Sequence, residues 1–191
     1  MRSSLTDDQF DEEIFGAERY AWRWEQQRQY EIGHELSDFE EFLDGHPRVP
    51  TENSSMAWYY DRIQALTRAA GVEVGRVRVV DSPPTDYQRW RSWMDRWNRE
   101  AGEEILYLPR QVLHQMGGPP FAPHADWWLI DGERLLLMHF APDGSGRRVP
   151  PGTRLETELV VDEPEVHLAR LWRLAAISWA REEETSLPAA A

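Results

Sequence analysis

The stretch VEVGRVRVVD, residues 72–81, decides the fold. Five of its ten residues are valine, and β-branched residues at this density are typical of a strand. Residues 85–101 follow with apolar side chains at helical spacing, and residues 104–108 are apolar again. A strand, a helix and a second strand in this order predict a parallel βαβ unit. Within the first strand Gly75 interrupts the alternation, which predicts a β-bulge.

Further elements are predicted on both sides of this unit. Upstream, aromatic residues at positions 20, 22 and 24 alternate with other residues, which is the strand period. Downstream, a turn dipeptide, Asp131-Gly132, separates two apolar runs and predicts a hairpin. We therefore expect an α/β fold in which helices flank a mixed sheet. The additional predicted helices are 10–17, 38–43, 56–70, 110–116 and one beginning at Pro164, and the additional strands are 19–25, 126–131, 134–140 and 155–161.

The chain of 191 residues is long enough to form one domain with a core of its own. Ten tryptophans supply large apolar side chains for that core. We expect a single α/β domain over residues 10–182, with a flexible N-terminus over residues 1–9 and a flexible C-terminal tail over residues 183–191. Cysteine is absent, which excludes disulfides, thiolate zinc sites and cysteine nucleophiles.

The chain is strongly acidic, with a net charge of −13 from 34 acidic and 21 basic residues. Such a surface repels phosphate backbones, so direct nucleic-acid binding is disfavoured. A local basic patch from Arg89, Arg91, Arg96 and Arg99 stays open. No segment is long and apolar enough to cross a membrane, and the acidic start lacks the apolar run of a signal peptide. We expect a cytoplasmic protein.

The segment HADWWLIDGER, residues 124–134, comes closest to a known catalytic pattern. It resembles the motif of phospholipase D enzymes, in which a His is followed two residues later by a Lys and seven residues later by an Asp. In that motif the His attacks phosphorus, the Lys steadies the charge and the Asp orients a histidine. Here His124 and Asp131 keep the spacing, but Asp126 stands in the Lys position, where a carboxylate would repel a phosphate. The resemblance implies a degenerate, single phospholipase D-like half, and the alternative is a hairpin whose Asp131 serves only the turn.

A cluster of aromatic and cationic residues opens the helix of the βαβ unit. Tyr87, Arg89 and Trp90 can bind a planar or anionic ligand through stacking and guanidinium contacts. The alternative is an amphipathic helix with its Trp in the core and its arginines outside, and we favour it. Adjacent Trp127 and Trp128 must point to opposite faces of one strand, so one packs in the core while a helix, a partner or a ligand covers the other.

No complete catalytic or phosphate-binding motif is present. The glycines form neither a Walker-type phosphate loop nor a dinucleotide-binding fingerprint, and no Gly-x-Ser-x-Gly elbow occurs. His139, near Asp143, is a candidate ligand or catalytic residue, although a lone histidine at a strand end is commonly structural. A zinc or iron site from His114, His124, His139 and a carboxylate stays open, but no spacing demands it. No cofactor is evident from the motifs.

Four segments together resemble an uncharacterised actinobacterial family, the domain of unknown function DUF6879. The segments are VRVVD at 77–81, PTDYQRW at 84–90, AGEEILYLPR at 101–110 and DWWLID at 126–131. The resemblance extends over residues 10 to 180 and implies no activity and no catalytic residue. Such proteins are often encoded near helix-turn-helix regulators and sometimes near biosynthetic genes, which implies a partner or a pathway of that kind.

Two functions are open, and so is the question whether the protein is an enzyme. The first is a non-enzymatic accessory or sensor domain that binds a small ligand or a partner protein through a Trp-rich face. The partner would be a helix-turn-helix regulator, and a homodimer is also open. The second is a small-molecule tailoring enzyme of a biosynthetic pathway, with a site at the strand ends near His124, Asp131 and His139. The candidate ligand-binding residues are Tyr87, Arg89, Trp90, His124, Asp126, Trp128, Asp131 and His139.

Overall fold

The structure, a computed structural model, describes residues 1–33, 35–50, 56–141 and 149–186. The strands within these ranges are β1 Arg2–Ser4, β2 Tyr20–Glu25, β3 Glu73–Val80, β4 Glu104–Pro109, β5 Asp126–Ile130, β6 Arg134–Phe140 and β7 Arg154–Val160. The helices are α1 Asp7–Phe15, α2 Leu36–Leu43, α3 Ala57–Gln64, α4 Asp86–Glu100, α5 Arg110–Met116 and α6 Glu163–Ser186. A π-helical turn, Ala65–Ala69, extends α3.

The strands form one mixed sheet in the order β1-β7-β6-β5-β2-β3-β4. β2, β3 and β4 are parallel, and the other neighbouring strands pair antiparallel. The predicted parallel βαβ unit is confirmed as β3, α4 and β4, and the predicted hairpin as β5 and β6. Asp131 and Gly132 in the hairpin turn have positive φ angles of 55° and 74°. The α/β fold with a mixed sheet flanked by helices is confirmed.

Local signals explain where α4 begins and ends. The Thr85 side chain accepts a hydrogen bond from the Gln88 backbone N–H, and the Gln88 side chain accepts one from the Thr85 N–H. This reciprocal capping box fixes the start of the helix. At its end Gly102 has a φ of 97°, and a Cβ there would lie 2.6 Å from Thr67 Oγ1. α4 is thus held at both ends, which positions the charged side chains that it turns towards the sheet.

The sheet separates two cores of different character. On one face α5 and α6 cover an apolar cluster, called the tryptophan face after its residues Trp22, Trp24, Trp127 and Trp172. On the other face α1, α3 and α4 cover a cluster that also surrounds buried charges. We call it the charged face, and its sheet residues include Arg23, Glu25, Arg76, Arg78, Asp126 and Trp128. Trp127 and Trp128 lie on opposite faces, as the strand period predicts.

The structure differs from the sequence prediction at Gly75, and it contains regular elements at both ends of the expected domain. The bulge predicted at Gly75 is wrong, because β3 pairs with β2 and β4 in continuous register through this residue. A Cβ at Gly75 would approach the Glu104 carbonyl oxygen to 3.2 Å, so close strand packing explains the glycine. Residues 1–9, expected to be flexible, include β1, which pairs with β7, and the first residues of α1. At the other end α6 continues to Ser186, into the expected tail.

His34 and residues 51–55, 142–148 and 187–191 lie outside the described residues. They include Asp143, which is near His139 in the sequence, and the end of the expected C-terminal tail. In the part of the chain that is described, no helix combines the length and the apolar composition needed to span a membrane.

Candidate functional site

Two rows of side chains, most of them charged, cross the charged face. Each row consists of residues that lie beside one another on neighbouring strands, and such residues point to the same face of the sheet. In the first row Arg76 of β3 lies beside Arg23 of β2, which lies beside Trp128 of β5. The strand period places the second row two residues further along, and it contains Arg78, Glu25 and Asp126. Burying several charged side chains together is costly unless each one is paired and hydrogen-bonded.

Arg76 lies at the centre of the network, with its side chain only 1% exposed. Its Nε donates to Glu103 at 2.7 Å, its Nη1 to Glu25 at 3.0 Å and its Nη2 to the Tyr59 hydroxyl at 2.6 Å. Glu103 accepts a further hydrogen bond from the Asn98 amide at 2.5 Å. Every nitrogen of the Arg76 guanidinium therefore has a partner, which offsets the loss of hydration.

Arg78 extends the network to α4. Its Nε and Nη2 donate to Glu25 at 3.2 Å, and its Nη1 donates to both oxygens of Asp95 at 2.6 and 2.7 Å. Burial opposes ionisation of Glu25, but the guanidinium groups of Arg23, Arg78 and Arg76 outweigh it and hold the pKa of Glu25 well below its usual range. Glu25 is therefore a charged group inside the protein at neutral pH.

Arg23 is the member of the rows whose charge is not matched by hydrogen bonds. Its Nε is buried and has no hydrogen-bond partner among the described residues. Its Nη2 lies 3.6 Å from Asp126 and 3.9 Å from Glu25, beyond hydrogen-bond distance. The guanidinium carbon lies 5.5 Å from the Tyr30 ring centroid and 5.8 Å from that of Trp128. Arg23 thus keeps donors that a ligand can use.

A cavity of about 450 Å³ opens at Arg23. Its lining comes from the sheet, α1, the segment before α2 and the start of α3, and we call it the arginine cavity. Arg23 and Arg76 contribute from the sheet, and Arg91 contributes from α4. The aromatic residues of its walls are Phe10, Phe15, Trp58, Tyr59, Trp128 and Phe140. Concave sites of this size, mostly apolar with a few convergent polar groups, are typical of small-molecule binding.

Arg91 corrects the interpretation of α4 as a helix with its arginines outside. Its side chain is 5% exposed, and its Nη1 donates to Glu35 at 3.2 Å, while its Nε has no hydrogen-bond partner among the described residues. Glu35 also accepts from the Tyr87 hydroxyl, so a buried carboxylate makes the inward arginine tolerable. Trp90 is core, as expected. Arg89 points outward and pairs with Asp86, both side chains being more than half exposed.

The arginines of α4, which the sequence leaves open as a local basic patch, are held apart from one another. Arg91 is buried, and Arg96 lies flat against Trp97, with its guanidinium carbon 3.7 Å from the ring centroid. Arg99 donates to the Ile105 carbonyl at 3.1 Å. The four arginines therefore do not form one continuous positive surface.

Asp126, which stands in the Lys position of the phospholipase D-like pattern, is completely buried. It accepts hydrogen bonds from the Gln26 backbone N–H at 2.9 Å and from the Tyr30 hydroxyl. Burial raises its pKa, and the nearby Arg23 guanidinium offsets this only in part. Asp126 therefore joins β5 to the chain after β2 and belongs to the charged face.

His124 and Asp131, the other residues of the phospholipase D-like pattern, do not lie together in the structure. His124 is exposed and precedes β5, whereas Asp131 follows it, so a strand rising about 3.3 Å per residue separates them by about 20 Å. Asp131 accepts from the backbone N–H groups of Glu18, Arg19 and Tyr20 at 2.7 to 3.2 Å. His139 lies at the same end of the hairpin as His124 but is bonded to Glu158 at 2.9 Å.

A second pocket of about 310 Å³ lies at the carboxyl ends of the parallel strands. It is lined by His124, by residues after β2 and by Arg110 after β4. Arg110 is already engaged, because it donates to Asp81 at 2.8 Å and to the Gln26 carbonyl at 2.9 Å. Among the described residues, no group of three His, Asp or Glu side chains is arranged to hold a metal ion.

Asp126 and Trp128 are among the ligand-binding residues predicted from the sequence. Arg23, Arg76 and Arg91, which give the cavity its chemistry, are not among them. A local signal existed for the first two. Charged residues recur at i and i+2 in two predicted strands, at 23 and 25 and at 76 and 78, opposite apolar neighbours on the other face. Such a pattern in a central strand indicates a buried polar face, because both sides of a central strand in an α/β sheet are covered.

Asp131 provides a stability prediction with a defined pH dependence. Replacing it with alanine should lower the free energy of unfolding by about 1–3 kcal/mol at pH 7, because three backbone N–H groups lose their acceptor. Burial opposes ionisation of Asp131, but the N–H groups of Arg19, Tyr20 and Glu18 outweigh it and lower its pKa in the folded state. The advantage of the wild type should therefore fade as the pH falls below about 4, the unfolded value, towards the lower folded value. Urea unfolding between pH 7 and pH 3 measures this. Glu133→Ala, in the same turn but exposed, should change stability by less than about 0.5 kcal/mol and show no such pH dependence.

The fold and the site define an α/β domain with a seven-stranded mixed sheet and an arginine-lined cavity on one face. Residues 8–183 match the family described as a domain of unknown function, DUF6879. The match covers most of the chain, which therefore belongs to this family, as the motif resemblance implies. No curated protein matches the chain.

Proposed function

We propose that this protein is a non-enzymatic sensor or accessory domain of the cytoplasm that binds a small acidic ligand in the arginine cavity. The observation that carries the proposal is Arg23, a largely buried guanidinium that lines a cavity of small-molecule size without a hydrogen bond to a described residue. A guanidinium donates readily to a carboxylate or phosphate in two parallel hydrogen bonds. An acidic ligand would supply the acceptor that Arg23 lacks.

The cavity supports binding in preference to catalysis. Its charged groups on the sheet are largely engaged with one another, as Arg76 is with Glu25 and Glu103, and such a preorganised network suits the binding of a charged ligand. The second hypothesis, a tailoring enzyme of a biosynthetic pathway, relies on His124, Asp131 and His139. These three residues do not lie together in one site, as a shared catalytic role would require, and this favours the binding hypothesis.

A partner protein would transmit the bound state. Leu168, Leu171 and Leu174 on α6 are 38%, 51% and 61% exposed, on the side of the helix away from its buried residues. An apolar stripe of this kind supports contact with another protein. The proposed partner is a helix-turn-helix regulator, and a homodimer is the competing arrangement.

Arg23→Met tests whether the ligand binds at this guanidinium. The arginine has no hydrogen bond to a described residue to lose, but its charge offsets those of the buried Glu25 and Asp126. The free energy of unfolding should therefore fall by about 1–3 kcal/mol, and binding is compared at a temperature at which the variant is folded. Binding of an acidic ligand should be lost. In a thermal-shift screen of carboxylates and phosphates, a saturating ligand at 100 times its Kd should stabilise the wild type by about 2.7 kcal/mol, or roughly 5–10 °C.

The control is Arg89→Met, which removes the same charge from the surface outside the cavity and should keep the full shift. Stabilisation that persists in Arg23→Met, or a screen in which no acid stabilises the wild type, would contradict the proposal.

A further inference from the structure

The arginine cavity carries charged groups of opposite sign on two of its walls, and neither forms a hydrogen bond with a described residue. Arg23 contributes a cation from the sheet. Asp11 contributes a carboxylate from α1, where its side chain is half-buried and forms no hydrogen bond or ion pair with another described residue. Burial raises the pKa of Asp11, and Arg62 and Arg154 offset this only in part.

The two arginines near Asp11 interact with other residues. Arg154 pairs with Asp7 and lies 5.1 Å from the centroid of the Phe10 ring. The Arg62 guanidinium lies 4.9 Å from the centroid of the Phe15 ring. Asp11 therefore offers its oxygens to the cavity while neighbouring arginines stack on aromatic rings.

A ligand with one sign of charge would satisfy only one of these walls. A pure anion would meet Arg23 but would also face Asp11 and Glu31, which line the same cavity, in a chain of net charge −13. A pure cation would meet Asp11 and leave Arg23 without an acceptor. A molecule that carries both charges and an aromatic ring matches both walls and the aromatic lining.

The charges around Arg23 suit a carboxylate better than a phosphate. Arg76 is fully engaged, the Nη1 of Arg91 is engaged with Glu35 and Arg154 pairs with Asp7, whereas Arg23 donates no hydrogen bond to a described residue. One guanidinium matches the single charge and the two oxygens of a carboxylate. A dianionic phosphate would bring a second negative charge close to Asp126 and Glu25, both within 3.9 Å of Arg23.

We infer that the arginine cavity binds an aromatic zwitterion, whose carboxylate accepts from Arg23, whose ring lies among the aromatic walls and whose ammonium group donates to Asp11. This inference rests on the proposed function and deepens it by naming the ligand class. A cavity of about 450 Å³ has room for a molecule between an aromatic amino acid and an aromatic dipeptide in size.

Calorimetric titration of the full chain with matched probes tests the inference. Aromatic amino acids and aromatic dipeptides are each compared with the same molecule lacking the ammonium group and with the same molecule lacking the carboxylate; for tryptophan these are 3-indolepropionate and tryptamine. At least one zwitterion should bind about 10- to 100-fold more tightly than both counterparts, since each loses a charged hydrogen bond. Asp11→Asn should remove the preference over the acid, and Arg23→Met the preference over the amine. Glu12→Gln, an exposed neighbour on α1, should leave both preferences intact.

Two outcomes overturn the inference. In one, no zwitterion binds more tightly than its acid; in the other, Asp11→Asn leaves the ratio unchanged. If a simple acid still stabilises the protein through Arg23 in either case, the proposed function stands and only the zwitterion is excluded. If no acid and no zwitterion binds, the proposed function fails as well.

Discussion

Replacing Arg76 with methionine is expected to lower the free energy of unfolding by about 3–5 kcal/mol, because it breaks a buried ion-pair network by removing one partner. Glu103 and Glu25 would each lose a hydrogen bond from a guanidinium, at 2.7 and 3.0 Å, and the Tyr59 hydroxyl would lose a third. Their carboxylates are at most 3% exposed, so water cannot replace the lost donors. A buried carboxylate that lacks its cation must stay charged at high cost or bind a proton.

Urea unfolding monitored by tryptophan fluorescence measures this loss of stability. Two further variants serve as comparisons for its size. Arg89→Met breaks a pair whose side chains are both more than half exposed, and it should cost less than about 1 kcal/mol. Arg76→Lys keeps a charge but lacks the planar fork that reaches three partners, so it should fall between the wild type and Arg76→Met. A loss for Arg76→Met no greater than that for Arg89→Met would show that the network is not held as described.

On the opposite side of the sheet, Trp127→Ala should lower the free energy of unfolding by about 3–5 kcal/mol through the cavity that it leaves. Trp127 is fully buried, with ring centroids of Trp22 at 5.2 Å, Trp24 at 6.4 Å and Phe121 at 5.4 Å. Its indole N–H has no hydrogen-bond partner among the described residues, so the loss comes from packing alone.

A graded series tests the packing origin of that loss. Trp127→Phe keeps an aromatic ring and should lose clearly less than Trp127→Ala, whereas Leu174→Ala, at a position 61% exposed, should lose less than about 0.5 kcal/mol. Because the tryptophan face does not line the arginine cavity, ligand affinity of the folded Trp127→Phe variant should equal that of the wild type. Equal losses for the phenylalanine and alanine variants would contradict a cavity effect.

Periodicity in the sequence predicts most of the elements, because apolar spacing records which side of a helix or strand is buried. The valines of residues 72–81, the helical spacing of residues 85–101 and the apolar run that follows define the parallel unit. The Asp131-Gly132 dipeptide locates the hairpin turn, where both residues have positive φ. These signals are local, so no long-range contact is needed to recognise them.

The charged face could not be predicted in the same way, because its pairings join distant parts of the chain. Arg76 meets Glu103 across 27 positions and Glu25 across 51. Arg91 lies on the buried side of α4, four residues after Tyr87 and three before Met94. Its partner Glu35 is 56 positions away, so no local pattern shows that this arginine is paired there. The cavity likewise depends on how α1 lies against the sheet, which no motif encodes.

The two charged rows also help to fix the register of the central strands. Strand residues alternate between faces, so a register shift of one residue in β2 would turn Arg23 and Glu25 towards the tryptophan face. The same shift in β3 would turn Arg76 and Arg78 into the space now filled by tryptophan and valine side chains. Unpaired charges in an apolar core are among the costliest arrangements that a protein can adopt. Misregistered pairing within this sheet, or with a strand of another molecule, is therefore penalised at several positions at once. The same side chains that create a binding cavity also exclude the wrong assembly of the sheet around it.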